Sequence, residues 1–168
     1  MALRDRNPYA FAPAIAPHLA AREAGQRIDL DVIAAGWQRL RAQADLIVVE
    51  GAGGVMVPLN ERHDMLDIAA RLHLPVLLVV GLRLGCINQA LLAVHAVRTR
   101  GLRLAGWVGN VIEPSMLRID ANIESIAERI GRPPTAILRW NPTAANAIAT
   151  LDKVAVELLS TLGDDRRH

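Results

Sequence analysis

The sequence predicts an α/β domain built on a mostly parallel sheet flanked by helices. Three observations carry that prediction. Short apolar runs recur at Leu46–Glu50, Val76–Val80, Leu104–Ile112 and Thr135–Leu138, with starts about 30 residues apart. The runs are nearly continuous rather than alternating, which is the pattern of strands buried on both faces. Stretches of helical periodicity lie between them, so the chain reads as successive βαβ units.

Each element follows in order. The Pro/Ala-rich opening, Asn7–Pro17, reads as an extended entry segment. Compact α/β domains ordinarily open with a strand, so the chain is expected to begin mid-fold. Val32, Ile33, Trp37 and Leu40 form a helical stripe ahead of the first run. Leu46–Glu50 is the first expected strand, and it runs into Gly51-Ala52-Gly53-Gly54. The second run lies within Leu74–Gly81, the longest apolar stretch, and leads to a helix over Ile87–Arg100. After the third run, Ile119, Ile123, Ile126, Ala127 and Ile130 share one helix face. Ser115 after Pro114 is the expected cap region of that helix, and Gly131 with Pro133-Pro134 the expected stop. The fourth run precedes a closing helix marked by Leu151, Ala155, Leu158 and Leu162. There is no linker or low-complexity segment, so residues 1–168 read as a single domain.

Composition excludes several classes. With 52% hydrophobic and 21% charged residues the chain is globular rather than disordered. No apolar run approaches the roughly 20 residues a membrane helix needs. The start, Met1-Ala2-Leu3-Arg4-Asp5-Arg6, lacks the apolar core of a signal peptide. The single cysteine, Cys86, excludes an internal disulfide framework and fits the cytoplasm. The net charge of +2 is small, and apart from Arg166-Arg167 the basic residues are scattered. Aromatic residues make up only 3%, so nucleic-acid binding is disfavoured. All but one of the 19 Lys+Arg are arginines, and the sole lysine is Lys153.

Chemistry is expected where the apolar runs end, because open α/β sheets bind ligands at the carboxyl ends of their strands. Glu50 ends the first run and is followed by glycines. A carboxylate there can hold Mg²⁺ or its water, while glycines let backbone N–H groups approach phosphate oxygens. The same residues also suit a tight turn with a solvated Glu. After the second run, Leu84-Gly85-Cys86-Ile87-Asn88 enters a helix whose free N–H groups form an anion pocket, and Arg83 can add a charged contact. The alternative is a plain loop with Asn88 as a cap. Asn110 ends the third run, where its amide can read an adenine edge or cap a turn. His18, His63, His73, His95 and His168 lack metal-ligand spacing. Asp64 and Asp67 suit a solvated face or a first-turn dipole partner better than a catalytic pair. Ser115, Ser125 and Ser160 sit in no nucleophile elbow, and Cys86 reads as packing.

Several segments together resemble the dethiobiotin synthetases, ATP-dependent enzymes of biotin synthesis. They are Asn7-Pro8-Tyr9-Ala10-Phe11, Ala16–Ala21, Val49–Gly54, Leu77–Asn88 and Leu104–Asn110, and the resemblance runs from about Asn7 to Trp140. It implies a homodimeric fold similar to P-loop NTPases. It implies the conversion of 7,8-diaminononanoate, CO₂ and ATP into dethiobiotin, ADP and phosphate. In the family, a carbamate of the diamine takes the γ-phosphoryl group, and the second amine closes the ureido ring. By resemblance, Glu50 is a Mg²⁺ ligand, and Glu50, Gly51, Ala52 and Gly53 lie along the nucleotide phosphates. Asn110 contacts adenine, with Trp140 also on the nucleotide. Leu84, Gly85, Cys86, Ile87 and Asn88 receive the substrate carboxylate at the dimer interface, from the partner subunit.

The sequence also departs from the family. It holds no G-x-x-x-x-G-K-[ST] loop, and Lys153 is too near the C-terminus to replace that loop's lysine. No catalytic residue is identifiable, because the family's lysines have no counterpart. Arg83 stands for a usual lysine, and Arg139 for a usual proline before the Trp. The chain is therefore expected to lack the family's first βα unit. That would expose apolar faces and unpaired strand edges and weaken phosphoryl-transfer electrostatics by several kcal/mol. The other readings are a different P-loop-group ATPase, a cobyrinic-acid-type amidation enzyme, a non-catalytic remnant, or one half of a split enzyme.

Overall fold

The computed structural model describes residues 2–164, with side chains through Ser160. Arg166, Arg167 and His168 lie outside the described residues, as does the side chain of Leu162. The chain divides into two compact units, Met1–Leu74 and Pro75–His168.

The first unit is helical among its described residues. It contains α1 (Leu3–Arg6), α2 (Pro17–Glu23), α3 (Leu30–Arg41) and α4 (Met65–Arg71). Asp29 caps α3 by accepting from the Asp31 N–H at 2.9 Å. The buried face of α3 is Leu30, Ala34, Gly36 and Leu40. Of the expected stripe, Ile33 and Trp37 are half-buried and Val32 is exposed. The face is turned because α1 packs on it so closely that a Cβ on Gly36 would lie 2.9 Å from the Asp5 carbonyl oxygen. Arg39 Nε donates to the Asp5 carboxylate at 2.8 Å across the same contact. A small core joins Ala21, Ile28, Leu30 and Leu59, with Tyr9 and Phe11 packed against it. The Tyr9 hydroxyl accepts from the Asp29 N–H at 2.9 Å. Asp64 and Asp67 form the capping box of α4, which gives both carboxylates a structural role at the positive end of a helix. At the other end of α4, the His73 and Leu74 N–H groups donate to the Ala70 and Ala69 carbonyls, a Schellman closure with His73 at φ 53°.

The first expected strand does not form. Residues 46–50 form neither helix nor strand, and among the described residues their backbone makes no strand pairing. Leu46, Val48 and Val49 are exposed, Val48 by 83%. The apolar run supplies strand propensity, but a strand also needs a hydrogen-bonded neighbour, which is a tertiary condition.

The second unit bears out the α/β expectation. It contains β1 (Val76–Leu82), α5 (Cys86–Thr99), β2 (Leu104–Val111), α6 (Ile119–Ile130), β3 (Ala136–Leu138) and α7 (Ala144–Asp164). The strands are parallel in the order β1-β2-β3. The central strand β2 is buried from Ala105 to Gly109. β1 departs from expectation. As an edge strand it buries Leu78, Val80 and Leu82 on one face and exposes Val79 on the other. The core joins those three residues to Cys86, Ala90 and Val94 of α5, Trp107 and Val111 of β2, and Ile126 and Ile130 of α6. Gly109 is needed in β2, because a Cβ there would lie 2.6 Å from Ile137 Cδ1 and 3.0 Å from Leu82 Cδ1.

α6 spans the expected residues and ends at Gly131 in the left-handed region, φ 87°. Its start differs from expectation, because Ser115 is not the cap. Residues 113–116 form a turn closed by the Met116 N–H on the Glu113 carbonyl, so the helix begins later, with Arg118 at its N-cap. α7 lies along β3, with Val154 buried. The Arg132 guanidinium bonds the Ala105 carbonyl at 2.7 Å and the Glu157 carboxylate at 2.8 Å, tying α7 to the start of β2.

Candidate functional site

The Glu50 loop belongs to the first unit. Glu50, Gly51 and Ala52 form part of the wall of an open groove of about 550 Å³. Asp5, Arg6 and Asn7 also line it, with Ile33, Trp37, Leu40 and Leu72 as apolar lining. Glu50 is exposed, and among the described residues its carboxylate has no hydrogen-bond partner. The glycines that follow differ in what they do. A Cβ on Gly51 would touch Met65 Cγ at 2.9 Å, Gly53 needs φ +81°, and Gly54 faces open space. Arg6 and Asn7 were not legible as groove residues, because only the packing of α1 on α3 brings them there.

The other candidate residues lie in the second unit, at the carboxyl edge of its sheet. Register aligns Gly81 of β1 with Asn110 of β2, and Asn110 with Leu138 of β3. Three candidate groups therefore follow three neighbouring strand ends. Leu84–Asn88 follow β1, Asn110 stands near the end of β2, and Trp140 comes two residues after β3. Asn110 is half-buried, and among the described residues its carboxamide makes no hydrogen bond. The turn-capping alternative therefore has no support, and the amide is available to a ligand. Trp140 is 55% exposed.

The Leu84–Asn88 segment turns through Gly85, the N-cap of α5 at φ 91°. The Cys86 N–H is not free, because it donates to the Arg83 carbonyl at 3.0 Å. The Cys86 side chain is fully buried in the core and cannot meet a ligand. Among the described residues the Ile87 and Asn88 N–H groups have no acceptor, so they are the donors left at the helix start. Asn88 lies inside the first turn rather than at the cap. Arg83 leans toward Gln89 at 3.4 Å, and Leu84 is almost wholly exposed.

Among the described residues no cluster of three His, Cys, Asp or Glu side chains could cage a metal ion. The single free carboxylate of Glu50 suits instead a Mg²⁺ held jointly with phosphate oxygens and water. No described helix is long and apolar enough to cross a membrane.

Comparison with known proteins shows which family the chain resembles. The profile of a family described as an AAA domain matches residues 2–147. An ATP-dependent dethiobiotin synthetase BioD of Aromatoleum aromaticum is 54% identical over 127 residues, which is 76% of this chain and 56% of that protein. The protein of the same name from Nitrosospira multiformis is 46% identical over 156 residues, 92% of this chain and 69% of that one. One from Pseudomonas aeruginosa is 52% identical over 134 residues, 79% of this chain and 59% of that one. The chain thus spans between 56% and 69% of the length of these relatives. With its parallel α/β sheet, its strand-end candidate residues and this similarity along most of its length, the chain belongs to the dethiobiotin synthetase family.

Proposed function

We propose that the protein acts in biotin synthesis as a cyclo-ligase in the cytoplasm, joining CO₂ to 7,8-diaminononanoate at the expense of ATP to give dethiobiotin, ADP and phosphate. The reading is supported most by one observation: the unengaged Asn110 amide and the exposed Trp140 follow neighbouring strand ends. In this reading the Ile87 and Asn88 N–H groups receive the substrate carboxylate, aided by the positive end of the helix. Leu84, Gly85 and Cys86 shape that turn. Asn110 hydrogen-bonds the adenine edge, and Trp140 offers the base an apolar face.

The Glu50 carboxylate holds Mg²⁺, and Gly51, Ala52 and Gly53 follow the nucleotide phosphates. The ion, when bound, neutralises phosphate charge. A homodimer, in which each copy's Leu84–Asn88 serves the other's site, completes the reading, and the exposed Leu84 supports it.

The test is dethiobiotin formation followed by mass spectrometry. Because the sequence holds no G-x-x-x-x-G-K-[ST] loop, the chain is assayed alone and co-expressed with the part of a relative that the match leaves uncovered. Product that depends on ATP and diamine is expected from the co-expressed pair, with little from the chain alone and with strong loss in Glu50→Gln. Absence of product from both preparations overturns the reading.

A further inference from the structure

Trp140 stands two residues beyond β3. Among the described residues its ring makes no ring contact and no hydrogen bond, and it is 55% exposed. No directional side-chain bond fixes it, so the backbone path beside it matters. The next three residues are each restricted, and each for a different reason. Asn141 has φ 43°, in the left-handed region. Pro142 has its φ locked by its ring. The Thr143 hydroxyl accepts from the Asn146 N–H at 3.3 Å and its carbonyl from the Ala147 N–H at 2.9 Å, fixing the start of α7. Of the three, only Asn141 holds a conformation that most side chains resist. A residue before proline is already pushed toward extended backbone. Asn tolerates positive φ, and a β-branched side chain does not.

We propose that Asn141 is a positioning residue: its left-handed turn aims the Trp140 indole along the carboxyl edge where Asn110 stands, making the pair a recognition surface for a purine base. The proposal rests on the reading of Asn110 and Trp140 as nucleotide contacts. Asn141 itself touches no ligand. It acts by denying Trp140 the extended direction that the Asn-Pro step would otherwise favour.

The test is an NMR titration of the 168-residue chain with millimolar ATP, following the indole N–H signals. Trp140 is assigned with Trp140→Phe. In the wild type and in Asn141→Gly, the Trp140 signal is expected to move on ATP addition. In Asn141→Val the apparent affinity is expected to fall about tenfold. Trp107, whose Nε1–H donates to the Arg132 carbonyl at 3.1 Å, reports that the core is intact. Should the Val variant lose the Trp107 signal, Asn141→Ala decides instead, with a smaller loss in the same direction. Wild-type affinity in a folded Val or Ala variant overturns the proposal alone. Wild-type affinity in both Asn110→Ala and Trp140→Ala overturns the nucleotide reading beneath it, as does a wild-type chain whose Trp140 signal ignores ATP.

Discussion

Alanine at each of three glycines after Glu50 should produce three different outcomes. Gly53 has φ +81°, and a Cβ there would lie 3.0 Å from Val57 Cγ2. Placing an L-residue in the left-handed region costs about 1–2 kcal/mol, and the tight contact adds to it. The gain from stiffening the unfolded chain returns about 0.4–1 kcal/mol. Gly53→Ala should therefore lose about 1–2 kcal/mol. At Gly51 the Cβ would meet Met65 Cγ at 2.9 Å and Sδ at 3.3 Å. That obstacle is the side chain of a flexible residue, so Met65 can turn aside. The net cost should be within about 0.5 kcal/mol of zero. Gly54 faces open space at ordinary φ, so Gly54→Ala should gain about 0.4–1 kcal/mol. Urea melts of the three variants give the order directly. A Gly53→Ala variant as stable as the wild type, or a Gly54→Ala variant more than about 1 kcal/mol less stable, refutes the reasoning. If Gly54→Ala keeps its stability but loses ATP-dependent product, Gly54 faces the ligand.

Three further outcomes follow from the same geometry. His73→Gly should raise stability by about 0.5–1 kcal/mol, because His73 holds φ 53° at a position that glycine occupies without strain; a thermal melt with lower Tm contradicts it. Arg132→Met should cost about 2–3 kcal/mol, mostly from the charged bond to the Ala105 carbonyl, whereas Glu157→Gln should cost under about 1 kcal/mol because that pair is about one-third exposed; denaturant melts that reverse this order refute it. The Glu61 carboxyl should titrate below the ordinary glutamate range, held down first by its own backbone N–H and then by Arg27 Nε at 3.1 Å. A lowered folded-state pKa contributes stability above the unfolded value, which is lost as pH falls through the folded one. Carbon-detected NMR titration should show Arg27→Ala raising the value only part of the way, and a full return to the ordinary range would assign the effect to Arg27 alone.

Most of the second unit was legible, and the residues show why. Ile119 to Ile130 keep helical period and end at a glycine, so both the helix and its stop could be read. The strand ends near Asn110 and at Leu138 were legible because apolar runs give way there to polar or loop residues within two positions. Failures came where local pattern meets a tertiary condition. Leu46–Glu50 has the composition of a buried strand, yet among the described residues it pairs with no strand and is mostly exposed. Val79 has the same apolar character as Leu78, but alternation along β1 puts it on the face that the core does not cover. Ser115 has the chemistry of a cap, but the turn at 113–116 moves the helix start beyond it. Asp64 and Asp67 have capping-box spacing, which the solvated-face and dipole-partner readings do not contain. At the candidate site, the engaged Cys86 N–H and the Arg6 and Asn7 wall depend on three-dimensional approach that spacing does not encode.

The exposed apolar run at 46–50 matters for the molecule in concentrated solution. Leu46-Ile47-Val48-Val49 is uncharged, free of proline and mostly β-branched, and among the described residues its backbone groups make no strand pairing beside the exposed Leu46, Val48 and Val49. Such a segment is a template for an identical segment of another molecule, and cross-β stacking rewards each added copy. Loss by such pairing should rise with protein concentration, unlike loss by unfolding of single molecules. A single charge at Val48, which is 83% exposed and outside the packed cores, would act as a gatekeeper against that loss.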